Sequence, residues 1–283
     1  SFPTSFSNVS YTAGVDWSPT ADMLVYAKTS TGFKAGGVNS NGDYNSFAPE
    51  KVTNYEMGIK SDWLDHRLRF NLAAFYGKYN DIQRSVFKVV YGNLATEVVN
   101  AASANISGVE LETFARAFNN FEVRTNLAYL DAKYEKFSAT NPTPSGVDPG
   151  TGLPIYSPID LSGAPFNNTP KWKTSIEPAY TVPLPFGSLR SSLIWTYQTK
   201  VYLSPTSATA FSGNYANQSG YGLWDARMAL HIDRANLEIA AWGNNLADKR
   251  YINQATDLSG VLGLIEANLG PPRTYGIEVT KRF

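Results

Sequence analysis

Glu110 and Glu112 stand two residues apart, the spacing that places two carboxylates on one face of a strand, where they could divide acid and base work or serve as fixed charges. Asp225 and Arg227 repeat that spacing with opposite signs, and Arg250 and Arg273 could attract an anion or pair with Asp248 and Glu266. There is no cysteine, and His66 and His231 are the only histidines, which removes thiol nucleophiles, disulfide frameworks and zinc sites built on cysteine or on several histidines. No P-loop, dinucleotide fingerprint or nucleophile elbow occurs. Lys plus Arg equals Asp plus Glu at 24 each, so no net field draws nucleic acid or an anionic surface. What these charges do depends on the elements that carry them.

The 283 residues are 43% hydrophobic, 17% charged and 13% aromatic, against roughly 25% charged in an average soluble domain. The longest apolar runs, Met23 to Ala27 and Leu72 to Tyr76, fall far short of the ~20 residues of a spanning helix. Ser1-Phe2-Pro3-Thr4 shows no starting Met and no signal peptide, so the expectation is a processed chain or one that begins within a longer protein. The informative signal is strict alternation. Leu68, Phe70, Leu72, Ala74 and Tyr76 oppose Arg67, Arg69 and Asn71; Phe121, Val123, Thr125, Leu127 and Tyr129 oppose Glu122, Arg124, Asn126 and Ala128. Trp172, Thr174, Ile176 and Tyr180, and finally Tyr275, Ile277, Val279 and Phe283, continue the pattern.

These segments predict about eleven strands, at 8–18, 22–34, 51–62, 66–90, 94–118, 120–136, 170–182, 187–203, 220–232, 236–250 and 272–283. Short turns at Pro19 to Ala21, Trp63 to Asp65, Asn119, Pro183 to Phe186 and Asp233 to Ala235 alternate with long Gly-, Pro-, Ser- and Asn-rich segments at 35–50, 137–169, 204–219 and 251–271. One tight connection, Tyr91-Gly92-Asn93, breaks the pattern, and the length of its flanking strands predicts that they continue beyond a membrane. An antiparallel meander with short turns at one end and long loops at the other is the signature of an outer-membrane β-barrel. A soluble sandwich or β-rich adhesin would use strands of ~5–6 residues, shorter than these. Aromatics gather at strand ends (Trp17, Trp63, Phe121, Trp172, Trp195, Tyr197, Trp224), as interfacial girdles require. The expected lipid face carries Val15, Met57, Ile59, Leu111, Leu193, Met228, Leu230 and Ile239. An odd count leaves the first and last strands parallel and unable to close, so the chain is expected to be part of a larger barrel.

An ordered set of motifs carries a family resemblance: Tyr26-Ala27-Lys28-Thr29-Ser30-Thr31-Gly32-Phe33-Lys34-Ala35-Gly36-Gly37, Pro49-Glu50-Lys51, Asn54-Tyr55-Glu56-Met57-Gly58-Ile59-Lys60, Phe75-Tyr76 with Asp81-Ile82-Gln83, and Asn100-Ala101-Ala102 with Gly108-Val109-Glu110-Leu111-Glu112. Pro170-Lys171-Trp172, Trp242-Gly243-Asn244-Asn245-Leu246 with Tyr251, and Pro272-Arg273-Thr274-Tyr275-Gly276 through Phe283 complete it. The whole chain resembles the carboxy-terminal half of a TonB-dependent outer-membrane receptor of the iron-complex type from Gram-negative bacteria. The resemblance implies eleven of about 22 strands around an amino-terminal plug that lies outside this sequence. It implies no catalytic residue and no cofactor. It further implies a multi-pass place in the outer membrane, in contact with lipid and lipopolysaccharide, and import of a ferric siderophore driven by the TonB complex acting on the plug through a TonB box.

Within that frame, Glu110 and Glu112 are lumen charges paired with neighbouring cations or with the plug, and Gly58 and Gly108 mark strand positions with no room for a side chain. Tyr156 and Phe166 in the longest loop, Tyr202 and Tyr215 around the next, and Arg250 and Arg273 near the last are the candidate ligand-binding residues, with a solvated loop as the plain alternative for 137–169. Tyr275, Ile277, Val279 and Phe283 resemble the terminal signal read by the barrel-assembly machinery, from which Lys281 departs. A cobalamin or glycan receptor, a porin and an autotransporter translocator remain alternative readings.

Overall fold

Alternation becomes structure through pairing, because a strand with one apolar face has a fixed register: a slip of one residue would turn every apolar side chain to the wrong side. In the computed structural model, which describes residues 5–39, 45–90, 93–140, 144–204, 216–258 and 264–282, eleven long strands form one antiparallel meander. They are β1 (Thr12–Thr20), β2 (Met23–Lys34), β3 (Glu50–Trp63), β4 (Leu68–Val90), β5 (Asn93–Phe118) and β6 (Phe121–Thr140), followed by β7 (Trp172–Leu184), β8 (Gly187–Gln198), β9 (Tyr221–Ile232), β10 (Leu237–Asn244) and β11 (Thr274–Lys281). Each pairs with its sequence neighbours, and β1 and β11 do not pair with each other. The expected count and order hold. The connection at Tyr91 and Gly92 lies outside the described residues. Its flanking strands β4 and β5 are 23 and 26 residues long, more than twice the ~9–11 that cross a bilayer.

Boundaries shift where local chemistry intervenes. The tenth strand stops at Asn244 rather than near 250 because Asn245 and Asp248 adopt left-handed backbone, φ 49° each, which ends the ladder. The segment 251–271 is not a plain loop: Ile252–Leu258 pairs with Leu264–Leu269 as a hairpin. Shorter pairings also structure the other long connections: Gly37–Val38 with Ser46–Phe47, Gly146–Val147 with Pro154–Ile155, and Val201–Tyr202 with Asn217–Gln218.

One sheet face is apolar along its cross-strand rows, as in Val15–Ala27–Met57–Ala74–Val109–Tyr129–Trp172. All eight residues expected to meet lipid lie on it, and Val15, Met57 and Met228 are among its most exposed side chains. On this face Tyr55 and Trp63 of β3, Tyr129 and Phe121 of β6, and Trp172 and Tyr180 of β7 stand eight residues apart. Eight residues are about 26 Å of strand and, at a barrel tilt of ~40°, about 20 Å of height, close to the ~25 Å apolar band of outer-membrane barrels. The two aromatic levels therefore bracket a membrane, with the short turns beyond the lower level and the long connections above the upper one.

The opposite face holds the charges in pairs. Glu122 meets Arg190 at 2.6 Å and Arg124 at 3.1 Å, and Arg227 meets Glu238 at 2.9 Å and Glu278 at 3.6 Å. Asp225 instead accepts the Asn245 N–H at 2.7 Å. Glu110 and Glu112 share this face, but among the described residues neither makes an ion pair, which corrects the expectation of a neighbouring cation as partner. Residues directly opposite them are Ala73 and Ala128, and Asn71 and Asn126.

Gly58 and Gly108 sit where the sequence predicts close approach. A Cβ at Gly108 would lie 2.6 Å from both the Tyr129 carbonyl oxygen and the Phe75 ring, and one at Gly58 would lie 2.7 Å from the Leu72 oxygen and the Tyr26 ring. Aromatic rings thus cover strand glycines on the polar face. Gly108→Val in the full-length protein is expected to lower the temperature at which the barrel unfolds in SDS, with an overpacking cost of about 1–3 kcal/mol. Gly77→Ala, whose Cβ would meet its nearest neighbour at 3.5 Å, is expected to leave the midpoint within a degree or two.

Candidate functional site

Above the upper aromatic level the alternation of apolar and polar residues ends and the buried core begins. Ile82, Ala102, Ala104, Tyr134 and Phe137, on the extensions of β4, β5 and β6, pack with Ile159, Leu161 and Ala164 of the longest connection. That connection is held down by pairing of Pro158–Asp160 with Ser138–Thr140 of β6, and by the Ser162 hydroxyl, which accepts the Phe137 N–H at 3.1 Å. The segment is therefore a folded flap on the polar face of the sheet rather than a solvated loop. At its centre Tyr134 is 1% exposed, with its ring centroid 4.6 Å from that of Phe137 and 4.4 Å from that of Phe166. The Arg84 guanidinium lies 5.3 Å from both the Tyr134 and the Phe166 centroids, within cation–π range. Burial pushes the Tyr134 phenol above its ordinary range, and among the described residues its hydroxyl has no hydrogen-bond partner.

A second cluster binds the 35–49 segment to the β4–β5 hairpin through side chains that stand in for a strand partner. Asn39 donates to the Val98 carbonyl at 2.9 Å and accepts the Val98 N–H at 2.8 Å. Asn100 accepts the Ala48 N–H at 2.6 Å and donates to the Ala48 and Asp81 carbonyls, both at 2.8 Å. Gln83 donates to the Ala35 and Ala48 carbonyls, while its own N–H goes to Glu50 at 3.0 Å. Asn45 donates to buried Glu97 at 3.2 Å. A third knot closes the base of the last connection: Asn245 donates to the Lys249 and Pro271 carbonyls and accepts the Lys249 N–H, and Tyr221 stacks on Tyr251 at 4.5 Å.

Phe166 is thus bound into the flap, with its ring against Tyr134 and Arg84. Tyr156 is half-buried beyond the hairpin at 146–155. Tyr202 receives the Lys200 ammonium 4.7 Å from its ring, and its carbonyl accepts the Asn168 N–H at 2.8 Å, tying the flap to the next connection. Arg250 is exposed at the rim. Arg273 meets Asp248, one of the alternative partners, through its backbone, the Arg273 N–H donating to the Asp248 carboxylate at 3.1 Å. Glu266 lies opposite Thr256 in the last hairpin. Tyr215 and Phe283 lie outside the described residues. Tyr275, Ile277 and Val279 form an outward apolar row on β11, and Lys281 continues that row but turns its ammonium back to the Ala235 carbonyl.

Arg84, Tyr134, Asn39, Gln83 and Asn100 were not among the sequence candidates. The available signal lay in the motifs Asp81-Ile82-Gln83 and Asn100-Ala101-Ala102, which the structure brings together. Among the described residues there is no group of three or more His, Asp or Glu side chains placed to hold a metal ion.

The family model described as "TonB dependent receptor-like, beta-barrel" matches residues 1–246. A probable TonB-dependent siderophore receptor, PiuA of Acinetobacter baumannii, is 24% identical over 87% of this chain and 31% of its own length. The ferric-pyoverdine M114 receptor PbuA of Pseudomonas sp. is 22% identical over 84% of this chain and 26% of its own. Among solved structures, the ferric yersiniabactin uptake receptor FyuA from Yersinia pestis superposes with a TM-score of 0.70 at 20% identity, over 95% of this chain and 36% of that one. The chain spans between a quarter and about a third of the length of these proteins, and the likeness to the solved structure is one of fold.

Tyr134→Phe is expected to leave the flap as stable as before, because the hydroxyl it removes has no partner, whereas Tyr134→Ala should cost about 3–5 kcal/mol and speed proteolysis within 158–166. Equal proteolysis of both variants would detach Tyr134 from the flap. Asp148 accepts the Gly150 and Thr151 N–H groups, which hold its carboxyl below the usual carboxylate range. A depressed folded-state pKa stabilises above the unfolded value and ceases to do so as pH falls through it. Hydrogen-exchange protection of these two amides, corrected for intrinsic rates, should therefore be present at neutral pH and lost below the ordinary Asp range.

Proposed function

Because the chain belongs to the TonB-dependent receptor-like β-barrel family, we propose that it is the carboxy-terminal part of an outer-membrane transporter for a scarce bulky ligand, a ferric siderophore, with energy supplied through the TonB complex. The family is one of transport receptors, and we read this chain as carrying no catalytic step. The observation that carries the proposal is the state of the sheet edges. Eleven strands in strict antiparallel order leave β1 and β11 running the same way with neither edge paired to the other. Two parallel edges cannot close on each other antiparallel, nor can two copies of this chain join β11 to β1 in antiparallel fashion. Closure needs an odd number of further strands, whose first and last members run opposite to β1 and β11. About eleven more would make the 22-stranded barrel whose lumen holds a plug. Open edges in hydrocarbon would otherwise leave backbone groups unpaired at several kcal/mol each.

The plug and its TonB box then lie in the same polypeptide before β1, and the outward row Tyr275, Ile277 and Val279 on β11 presents the pattern that the assembly machinery reads. Ligand meets the protein at the rim, where Tyr156, Tyr202, Arg250 and Arg273 offer aromatic and cationic groups and Phe166 is bound into the flap, with Tyr215 a further candidate from the sequence alone. The names of the relatives favour a ferric siderophore over cobalamin or a glycan.

Two measurements test this. The native polypeptide from outer membranes should have a denatured mass well above 31.0 kDa, with plug sequence upstream; a mass near 31.0 kDa would end the single-chain reading. Cells carrying the intact protein should take up radiolabelled iron from at least one of a panel of hydroxamate, catecholate and mixed chelates, and lose that uptake when TonB is deleted. Equal, TonB-independent passage of small solutes would make it a porin. Replacing Tyr156, Tyr202 and Tyr215 by Ala in the full-length protein should weaken chelate binding by roughly a hundredfold, at about 1 kcal/mol for each ring removed. Unchanged affinity would place recognition elsewhere.

A further inference from the structure

The flap brings an unpaired cation and an unpartnered hydroxyl together on the polar face of the sheet. On β4 an extra residue between Tyr79 and Ile82, with Asp81 in left-handed backbone at φ 55°, reverses the parity of the strand. Even-numbered residues, outward as far as Lys78, turn inward at Ile82 and Arg84. Arg84 thereby reaches Tyr134 and Phe166, 5.3 Å from each ring centroid, and it makes no ion pair among the described residues. Among those residues four buried side-chain polar atoms lack a hydrogen-bond partner, and two of the four, Arg84 Nε and Tyr134 Oη, fall in this one cluster. A buried donor left without an acceptor is costly and uncommon, so two together mark a place built for an acceptor that the chain does not supply. The ring that packs against both side chains, Phe166, carries no oxygen.

Phe166 is held by its backbone rather than by its ring. Its N–H donates to the Ala132 carbonyl at 3.1 Å, and the preceding Pro165 bridges to Lys133. Its ring is half-buried, whereas Tyr134 beneath it is 1% exposed. Rotation about χ1 can therefore move the ring aside while the flap stays paired to β6.

We propose that Phe166 is a placeholder, and that a catecholate group of the ligand displaces its ring and occupies the position between Tyr134 and Arg84. A catecholate there keeps the ring stack and adds what phenyl lacks: anionic oxygens, each retaining a lone pair when bound to iron, which accept from Arg84 Nε and Tyr134 Oη. A hydroxamate brings no ring to replace that of Phe166, and its tris-chelated iron core is uncharged. The inference rests on the receptor reading and narrows the class of chelate that reading leaves open.

The test measures binding of a ferric tris-catecholate and a ferric tris-hydroxamate to the full-length protein in mild detergent, with proteolysis within 158–166 as the readout of flap integrity. The wild type is expected to bind the catecholate complex the more tightly. Tyr134→Phe and Arg84→Gln should each weaken that binding by roughly tenfold to a hundredfold, the range of a hydrogen bond to a charged group, and Tyr134→Phe should do so with the flap intact. Phe166→Ala should strengthen it severalfold by removing the competing ring, opposite to the effect of losing a packing residue. Where proteolysis shows that Phe166→Ala opens the flap, Phe166→Leu, which keeps apolar bulk without an aromatic face, carries the same expectation. Equal catecholate affinity of the wild type, Tyr134→Phe and Arg84→Gln would assign the two orphan atoms to ordered water and overturn the proposal. Weaker binding by both Phe166 variants, or no measurable binding of the catecholate complex, would overturn it as well. Iron uptake separates the two readings. TonB-dependent uptake from the hydroxamate complex alone would keep the receptor and end the catecholate subsite. Catecholate binding that falls in Arg84→Gln and Tyr134→Phe, without uptake of any chelate, would keep the subsite and end the transport reading.

Discussion

Backbone pairing across a sheet with one water-free face is the constraint on which the rest of this structure depends. In hydrocarbon no water compensates an unpaired N–H or C=O, so each strand must meet a neighbour along its full crossing, and the period of two then fixes which side chains face out. The cross-strand rows obey this over eleven strands with few irregularities in the membrane zone. At Gly58 and Gly108 an aromatic ring from the neighbouring strand occupies the space a side chain would need. Such pairings exclude alternative registers as well as filling space, because a ring displaced by two residues would meet a Cβ.

The constraint relaxes above the upper aromatic level, and the means of stabilisation change with it. Bulges between Tyr79 and Ile82 and between Ser103 and Ala104 interrupt the ladders of β4 to β6, and beyond them inward residues build a core that the membrane zone lacks. Segments too irregular to pair as strands are secured by Asn and Gln side chains that present a donor and an acceptor as a backbone amide does. Asn39 on Val98, Asn100 on Ala48 and Asn245 on Lys249 each use both functions. These described parts of the rim are thus tied to the sheet by side-chain hydrogen bonds rather than by strand ladders.

How much of this was legible in the sequence follows the same division. Strand number, order, outward residues and both tight glycines could be read because period-two alternation is local and the membrane keeps one face uniform. The flap could not: on β4 the bulges between Tyr79 and Gln83 precede Arg84, so no count along the strand places it beside Tyr134, and on β6 alternation turns Tyr134 inward but cannot say that Phe166, 32 residues later, covers it. The hairpin within 251–271 was hidden for another reason, since paired segments in water need no uniform face. Motif resemblance carried information that periodicity did not. Asp81-Ile82-Gln83, Asn100-Ala101-Ala102, Pro49-Glu50 and Ala35-Gly36 look unrelated along the chain, yet they meet in a single hydrogen-bonded cluster.

The distribution of charge on the polar face bears on where selectivity can arise. Toward the short-turn end, Glu122, Arg124, Glu177 and Arg190 interlock, as do Arg227, Glu238 and Glu278, so the fields of opposite charges cancel within a few ångströms. A wall neutralised in this way attracts a charged cargo weakly and holds its shape well. Among the described residues Glu110 and Glu112 stand apart in making no ion pair on the wall, and their carboxylates face the space that the proposed plug would fill. At the rim, by contrast, Arg250 and Arg273 are exposed, so under the proposed transport reading unpaired cationic groups lie there. Placing selectivity there leaves the wall free to serve a movable plug: paired charges give it no strong preference for any one occupant, and only the few unpaired groups need a matching surface.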